Sequence, residues 1–326
     1  MNAGSTSVIR TRLDARLLRG ALLSFRIQRF ETVVIVLATL ASVVVSAAVV
    51  SAISAPAFDA CRSGGDAAFS PVCQTGIFPW LARIARLSLA IVPVFPIVAG
   101  LLAGGPIVAR ELEAGTARLA WSLGPSRLRW FVQRATPILL LVLVAALAIG
   151  ATADALAHVL FPNVDLDASF MSFRGRGLLV AVEAMLVAAV ALAIGAVLGR
   201  AAPTLVLSLI LVGGIGIAVD KVERVLLTNE AAVADGETYS WSSDDLYVDG
   251  RLRLADGTIA TYDEAMALHP ELQAGWDESS GIRNVVLYIP GSRYHDVERR
   301  EAAALIVVAA ALVGLAGVTV LRRRPR

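Results

Sequence analysis

Six apolar runs dominate this sequence: Thr32–Ser54, Leu87–Ala109, Ala135–Ala153, Gly177–Gly199, Ala201–Val219 and Ala302–Leu321. A helix needs roughly 20 residues to cross the hydrocarbon core of a bilayer, and each run is close to that length. Glu183 is the one charge within them. Backbone amides find no water in hydrocarbon, so each run is expected to be a helix. A buried soluble core can produce one such run, but hardly six. The chain is 57% hydrophobic with a mean hydropathy of +0.71, whereas soluble domains are about 45–50% apolar. No cleaved leader is expected at the first run. It is too long for an h-region, and six arginines precede it.

Charge asymmetry predicts the orientation. With the N-terminus inside, the inner segments are 1–31, 110–134, Arg200 and 322–326. They carry sixteen basic and four acidic side chains, whereas the outer segments carry thirteen basic and twenty-one acidic ones. Arginine-rich inner loops match the positive-inside rule. Both termini are therefore expected in the cytoplasm of a multi-pass plasma-membrane protein. These arginines sit at membrane edges, which favours membrane lipid as a partner over nucleic acid.

The fold class expected is an all-α polytopic membrane protein with a small mixed α/β extracellular domain. Its parts are a cytoplasmic tail and amphipathic helix (1–31), five spans (32–219), an extracellular domain (220–301), and a last span with a basic tail (302–326). Arg10–Phe30 alternates arginines with leucines, a pattern suited to lying on the membrane surface. Pro93 and Pro96 predict a kink in the second span. Cys61 and Cys73 share the first outer loop, where an oxidising exterior permits a disulfide. In the outer domain, Tyr247–Tyr262 carries Asp-Gly at 249–250 and 256–257, a hairpin signal. Asp263–Ala274 reads as a short helix capped at Asp263.

Between the second and third runs lies the charged stretch Ala109–Trp130. Leu112, Thr116, Leu119 and Leu123 recur at helical spacing and predict one face of an amphipathic helix over 110–123. Arg110, Glu111, Glu113 and Arg118 lie elsewhere around it. LGPS (Leu123–Ser126) ends the helix, and Ser126 can cap the next one. Two readings follow from these residues: an interfacial connector, or a docking lever moved by a partner below the membrane.

Arg110–Trp121 (RELEAGTARLAW) with Ser126–Trp130 (SRLRW) resembles the hallmark of type-2 ABC exporter permeases, most nearly a branch common in actinobacteria. Tyr288–Tyr294 (YIPGSRY), Glu301 and the arginines after Leu321 resemble the end of that branch. His295–Arg300 (HDVERR) departs from it, being charged where the branch tends to be aromatic. The resemblance implies that 110–123 is a coupling helix seated in a cleft of an ABC ATPase subunit. Arg110, Glu111, Leu112, Glu113, Gly115, Thr116, Arg118 and Leu119 are its implied coupling residues. Glu111 and Glu113 would meet basic residues of the ATPase or favour the positive end of the helix dipole, and Gly115 would allow close approach. The resemblance also implies a second permease chain, identical or homologous, and identifies Arg10–Phe30 with the family's connecting helix.

Several chemistries lack their residues. The one lysine, Lys221, is not preceded by a phosphate-binding glycine loop. No ATPase activity is expected of this chain, and ATP and Mg belong on the partner. His158, His269 and His295 show no metal-ligand spacing, and no Gly-x-Ser-x-Gly nucleophile motif occurs. No catalytic residue, metal or bound cofactor is therefore expected. Asp154 and His158 can pair on one helix face if the third helix extends that far. Glu183 and Asp154 are the substrate-path candidates, since a carboxylate inside a span is costly. Either they contact a cationic or polar substrate near the exit, or Glu183 ties helices together and Asp154 is simply exposed. The rival to a permease is a non-transporting sensor or assembly protein with a ligand-binding outer domain.

Overall fold

A computed structural model describes residues 25–26, 28–63, 70–123, 126–237, 239, 244–270 and 281–323. Most of the helix expected at Arg10–Phe30 lies outside these residues. In chain order the helices are α1 (Arg29–Ile53), α2 (Asp59–Ser63), α3 (Pro71–Thr75), α4 (Phe78–Ile91), α5 (Val94–Glu113), α6 (Thr116–Leu123), α7 (Arg127–Leu160), α8 (Gly177–Leu198), α9 (Ala201–Glu230), α10 (Tyr262–Leu268) and α11 (Tyr294–Arg322). The strands are β1 (Ala232–Asp235), β2 (Leu246–Arg253), β3 (Ile259–Ala260) and β4 (Arg283–Ile289). Two compact units divide the chain: Met1–Pro162 with Arg174–Gly214 and Arg299–Arg326, and Asn163–Phe173 with Ile215–Glu298.

The first unit is a helical bundle. Among the described residues, α1, α5, α7, α8, α9 and α11 are long and apolar enough to cross a membrane. The second apolar run does not form one kinked helix. It breaks at Val92–Pro93, between α4 and α5: Pro93 has no amide hydrogen to donate, and the Val92 and Phe95 amides turn to carbonyls three residues back, while Val92 itself keeps helical dihedrals. α7, α9 and α11 outlast the apolar runs. α7 begins at Arg127, where Ser126 Oγ accepts from the Arg129 amide, and continues to Leu160. Apolar residues mark what a helix buries, whereas caps and breakers mark where it ends.

Glu183 apart, α8 is apolar around its circumference and buried along most of its length, as a central helix requires. α5 packs on it backbone to backbone. A Cβ added at Gly104 would overlap the Ala188 carbonyl oxygen, so only glycine permits this approach. Val49 and Ile53 of α1, Ala85 of α4 and Leu156 of α7 form a smaller apolar cluster. Cys61 and Cys73 are joined by a disulfide that links α2 to α3, with Cα atoms 5.4 Å apart.

The second unit carries an antiparallel sheet of order β1-β4-β2-β3. Central β4 buries Val285, Val286 and Leu287 consecutively. Of the two Asp-Gly pairs, Asp256-Gly257 forms the turn between β2 and β3. Asp249-Gly250 does not turn; it lies inside β2 beside a register shift between Tyr247 and Asp249. A bulge uses the same tolerant residues as a hairpin turn. The helix cap also moves: α10 starts after Thr261, not at Asp263. Thr261 Oγ1 accepts from the Glu264 amide and Glu264 returns an acceptor to the Thr261 amide. Residues 271–274 of the expected helix fall outside the described residues.

Hydrogen bonding to Thr261, first through its backbone amide, holds the Glu264 carboxyl below the usual glutamate range. The cap's contribution is therefore present above the unfolded carboxyl pKa and lost as pH falls through the lower folded value. A carboxyl-carbon NMR titration should place Glu264 below ordinary glutamates, and Thr261→Ala should return it towards them. A wild-type Glu264 titrating normally would contradict the reciprocal cap.

Candidate functional site

The charged stretch forms two helices, not the single one expected over 110–123. α5 ends with the Ala114 amide donating to the Arg110 carbonyl at 2.9 Å and the Gly115 amide to the Leu112 carbonyl at 3.2 Å. Gly115 has φ +73°, and nothing lies within 4 Å of where its Cβ would be. A left-handed glycine is a helix stop signal. It turns the chain before α6 begins at Thr116. Leu112 therefore sits on α5, apart from Thr116, Leu119 and Leu123 on α6. α6 buries Ala117 and half-buries Ala120 and Trp121. Thr116, Arg118, Leu119 and Ser122 are exposed, Leu119 at 61%.

Three carboxylates anchor this end of the bundle. Glu111 is 7% exposed and meets Arg134 of α7 at 2.8 Å. Glu31 of α1, also buried, meets Arg110 at 2.5 Å. Glu113 accepts from the Ala201 amide at 2.9 Å, satisfying a free N–H at the start of α9. Glu111 and Glu113 were expected to face a partner; instead both have partners within the chain. Arg110 is likewise paired, whereas Arg118 and Leu119 stay on the surface.

A second set of contacts reaches α11. Arg127 donates to the carbonyls of Leu321 at 3.0 Å and Arg323 at 2.6 Å, and its guanidinium lies over the Trp121 ring at 4.9 Å. Trp121 meets Trp130 edge-on at 5.6 Å. Arg323 donates to the Ala196 carbonyl on α8 at 2.8 Å. The sequence alone assigned no contact to Glu31, Arg127 or Arg134. Their signal was a charge at the mouth of an apolar run, which leaves the partner unspecified.

The substrate-path candidates differ in setting. Asp154 of α7 is engaged by Arg176, 3% exposed, at 3.3 Å. Its carboxylate does not pair with His158, whose Nδ1 lies 2.9 Å from the Asp154 backbone oxygen. Glu183 is half-buried on α8. Among the described residues no cluster of three or more His, Cys, Asp or Glu could hold a metal.

The carboxy-terminal motif is structural on both sides of the unit boundary. Within the second unit, the Gly291 amide donates to Asp245 at 3.1 Å, Arg293 meets Glu230 at 3.0 Å, and Tyr294 packs edge-on against Phe170 and Phe173. Within the first, Glu301 meets Arg174 at 2.8 Å.

A family model described as ABC-2 membrane transporter related matches residues 32–224. No curated protein and no solved structure matches the chain.

Removing one member of a buried ion pair strands the other and costs about 3–5 kcal/mol. Glu111→Ala should therefore lower the Tm of the detergent-solubilised chain. Replacing both partners, Glu111→Gln with Arg134→Met, should recover most of the loss. A Glu111→Ala protein as stable as wild type would remove the pair from its anchoring role.

Proposed function

The chain belongs to the ABC-2 membrane transporter related family, and from that premise we propose that it is the permease subunit of an ATP-driven exporter. The observation that carries this reading is α6, a short amphipathic helix held between α5 and α7 by a left-handed turn, buried ion pairs and a capped neighbour. A force applied to such a helix passes into the bundle instead of bending a loop.

In this reading both termini and α6 are cytoplasmic, as the arginine distribution favours. A separate ATPase subunit binds ATP and Mg and hydrolyses the nucleotide. It docks on the exposed side of α6, around Thr116, Leu119 and Ser122. Glu111 acts from inside, setting where α6 stands, and exposed Glu113 ties the end of α5 to the start of α9. A second permease chain, identical or homologous, completes the path. This chain contributes no covalent chemistry. Asp154 and Arg176 tie α7 to the start of α8, and Glu183, half-buried on α8, is the path candidate because a carboxylate inside a span is costly.

Co-expression with an ATPase encoded beside this chain tests the reading. Wild type should co-purify with the ATPase, and Leu119→Glu should weaken the complex by about tenfold, the loss of one well-placed apolar contact. The variant should elute like wild type, because Leu119 is exposed. A well-behaved wild-type chain that never retains the ATPase would sink the proposal. Undiminished binding by Leu119→Glu would move docking away from α6.

A further inference from the structure

Residues of α6 and its neighbours line a half-open cavity of about 710 Å³, within the roughly 300–1,000 Å³ range of small-molecule sites. Its walls are of two kinds. Leu112, Leu315 and Val318 supply aliphatic surface, while Arg118, Arg322 and Arg323 supply positive charge. Among the described residues none of these three arginines has a carboxylate partner. Arg323 is held against the wall by its bond to the Ala196 carbonyl, and Arg118 and Arg322 are exposed. Trp121 also lines the cavity. Its indole N–H is enclosed and has no acceptor among the described residues.

An occupant must match both walls. A small soluble anion would satisfy the arginines and leave the aliphatic side wet. An uncharged lipid would cover Leu315 and Val318, 54% and 43% exposed, and leave three cations uncompensated. The cavity lies where the apolar length of α11 gives way to its terminal arginines, the depth of lipid phosphates if α11 spans the membrane. We propose that it binds one anionic phospholipid, with the phosphate among Arg118, Arg322 and Arg323 and acyl chain against Leu315 and Val318. A lipid held there bridges α6 to the end of α11. The inference rests on the membrane setting of the proposed permease and not on its ATPase partner.

The full-length chain, purified in detergent with no ATPase present, is titrated with phosphatidylglycerol, phosphatidylcholine or free glycerol phosphate. Adducts are quantified by native mass spectrometry. Phosphatidylglycerol should bind at least about tenfold more tightly than phosphatidylcholine, given the attraction of two or three arginines. Glycerol phosphate should not displace it. Arg118→Ala with Arg322→Ala should remove the preference, and Val318→Trp, which fills the cavity at unchanged charge, should weaken phosphatidylglycerol binding by a similar factor. Equal binding of the two lipids by wild type overturns the proposal. Displacement by glycerol phosphate also overturns it and marks a soluble-anion site. Retention of phosphatidylglycerol by folded Val318→Trp overturns it too, reducing the effect to surface charge. If a variant does not fold, the wild-type lipid comparison still decides. Loss of ATPase docking leaves every arm of this test standing, so the two proposals fail separately.

Discussion

The Glu111 carboxylate and the Arg134 guanidinium meet 2.8 Å apart, both largely withdrawn from solvent. Either charge alone in that place would carry a penalty of several kcal/mol, so the two must stay together. Their union sets the spacing of α5 and α7, and α6 lies between the ends of those helices in the chain. Glu31 with Arg110 extends the same constraint to α1, and Glu113 extends it to the first amide of α9. Arg134 balances a buried charge at Glu111, while Glu113 satisfies an amide that the start of a helix leaves free.

Behind this polar end the bundle is held by shape. Glu183 apart, α8 presents apolar surface on all sides, and α5 reaches it through Gly104 without an intervening side chain. Close backbone approach maximises dispersion contacts and leaves little freedom to slide. The arrangement is therefore stiff where α5 meets α8 and cationic where α6 meets the end of α11. Arg127 and Arg323 fix carbonyls at that end, while Arg118 and Arg322 remain turned to the surroundings.

Legibility in the sequence followed the range of the interaction. The long helices could be read because twenty apolar residues in a row leave a chain few other options. Ser126 could be read because its cap is local. Asp249-Gly250 was misleading, since a bulge and a turn select the same residues, and only pairing with β4 separates them. Gly115 was visible as a glycine, but its left-handed φ divided what spacing alone joined into one amphipathic face. The carboxylates of the candidate site were visible as charges, but their contacts within the chain, Glu111 with Arg134 and Glu113 with the Ala201 amide, were not.

The sequence by itself determined that six long apolar segments are present, that basic residues outnumber acidic ones in alternate segments between them, and that a charged, breakable stretch lies between the second and third. These follow from composition and from interactions spanning a few residues. Only the tertiary structure decided which charge meets which. Arg134 reaches Glu111, Ala201 reaches Glu113, and Arg127 reaches the carbonyls of Leu321 and Arg323. Those contacts join residues far apart in the chain. A charge at the mouth of an apolar helix must find a partner, but which partner depends on how the helices pack.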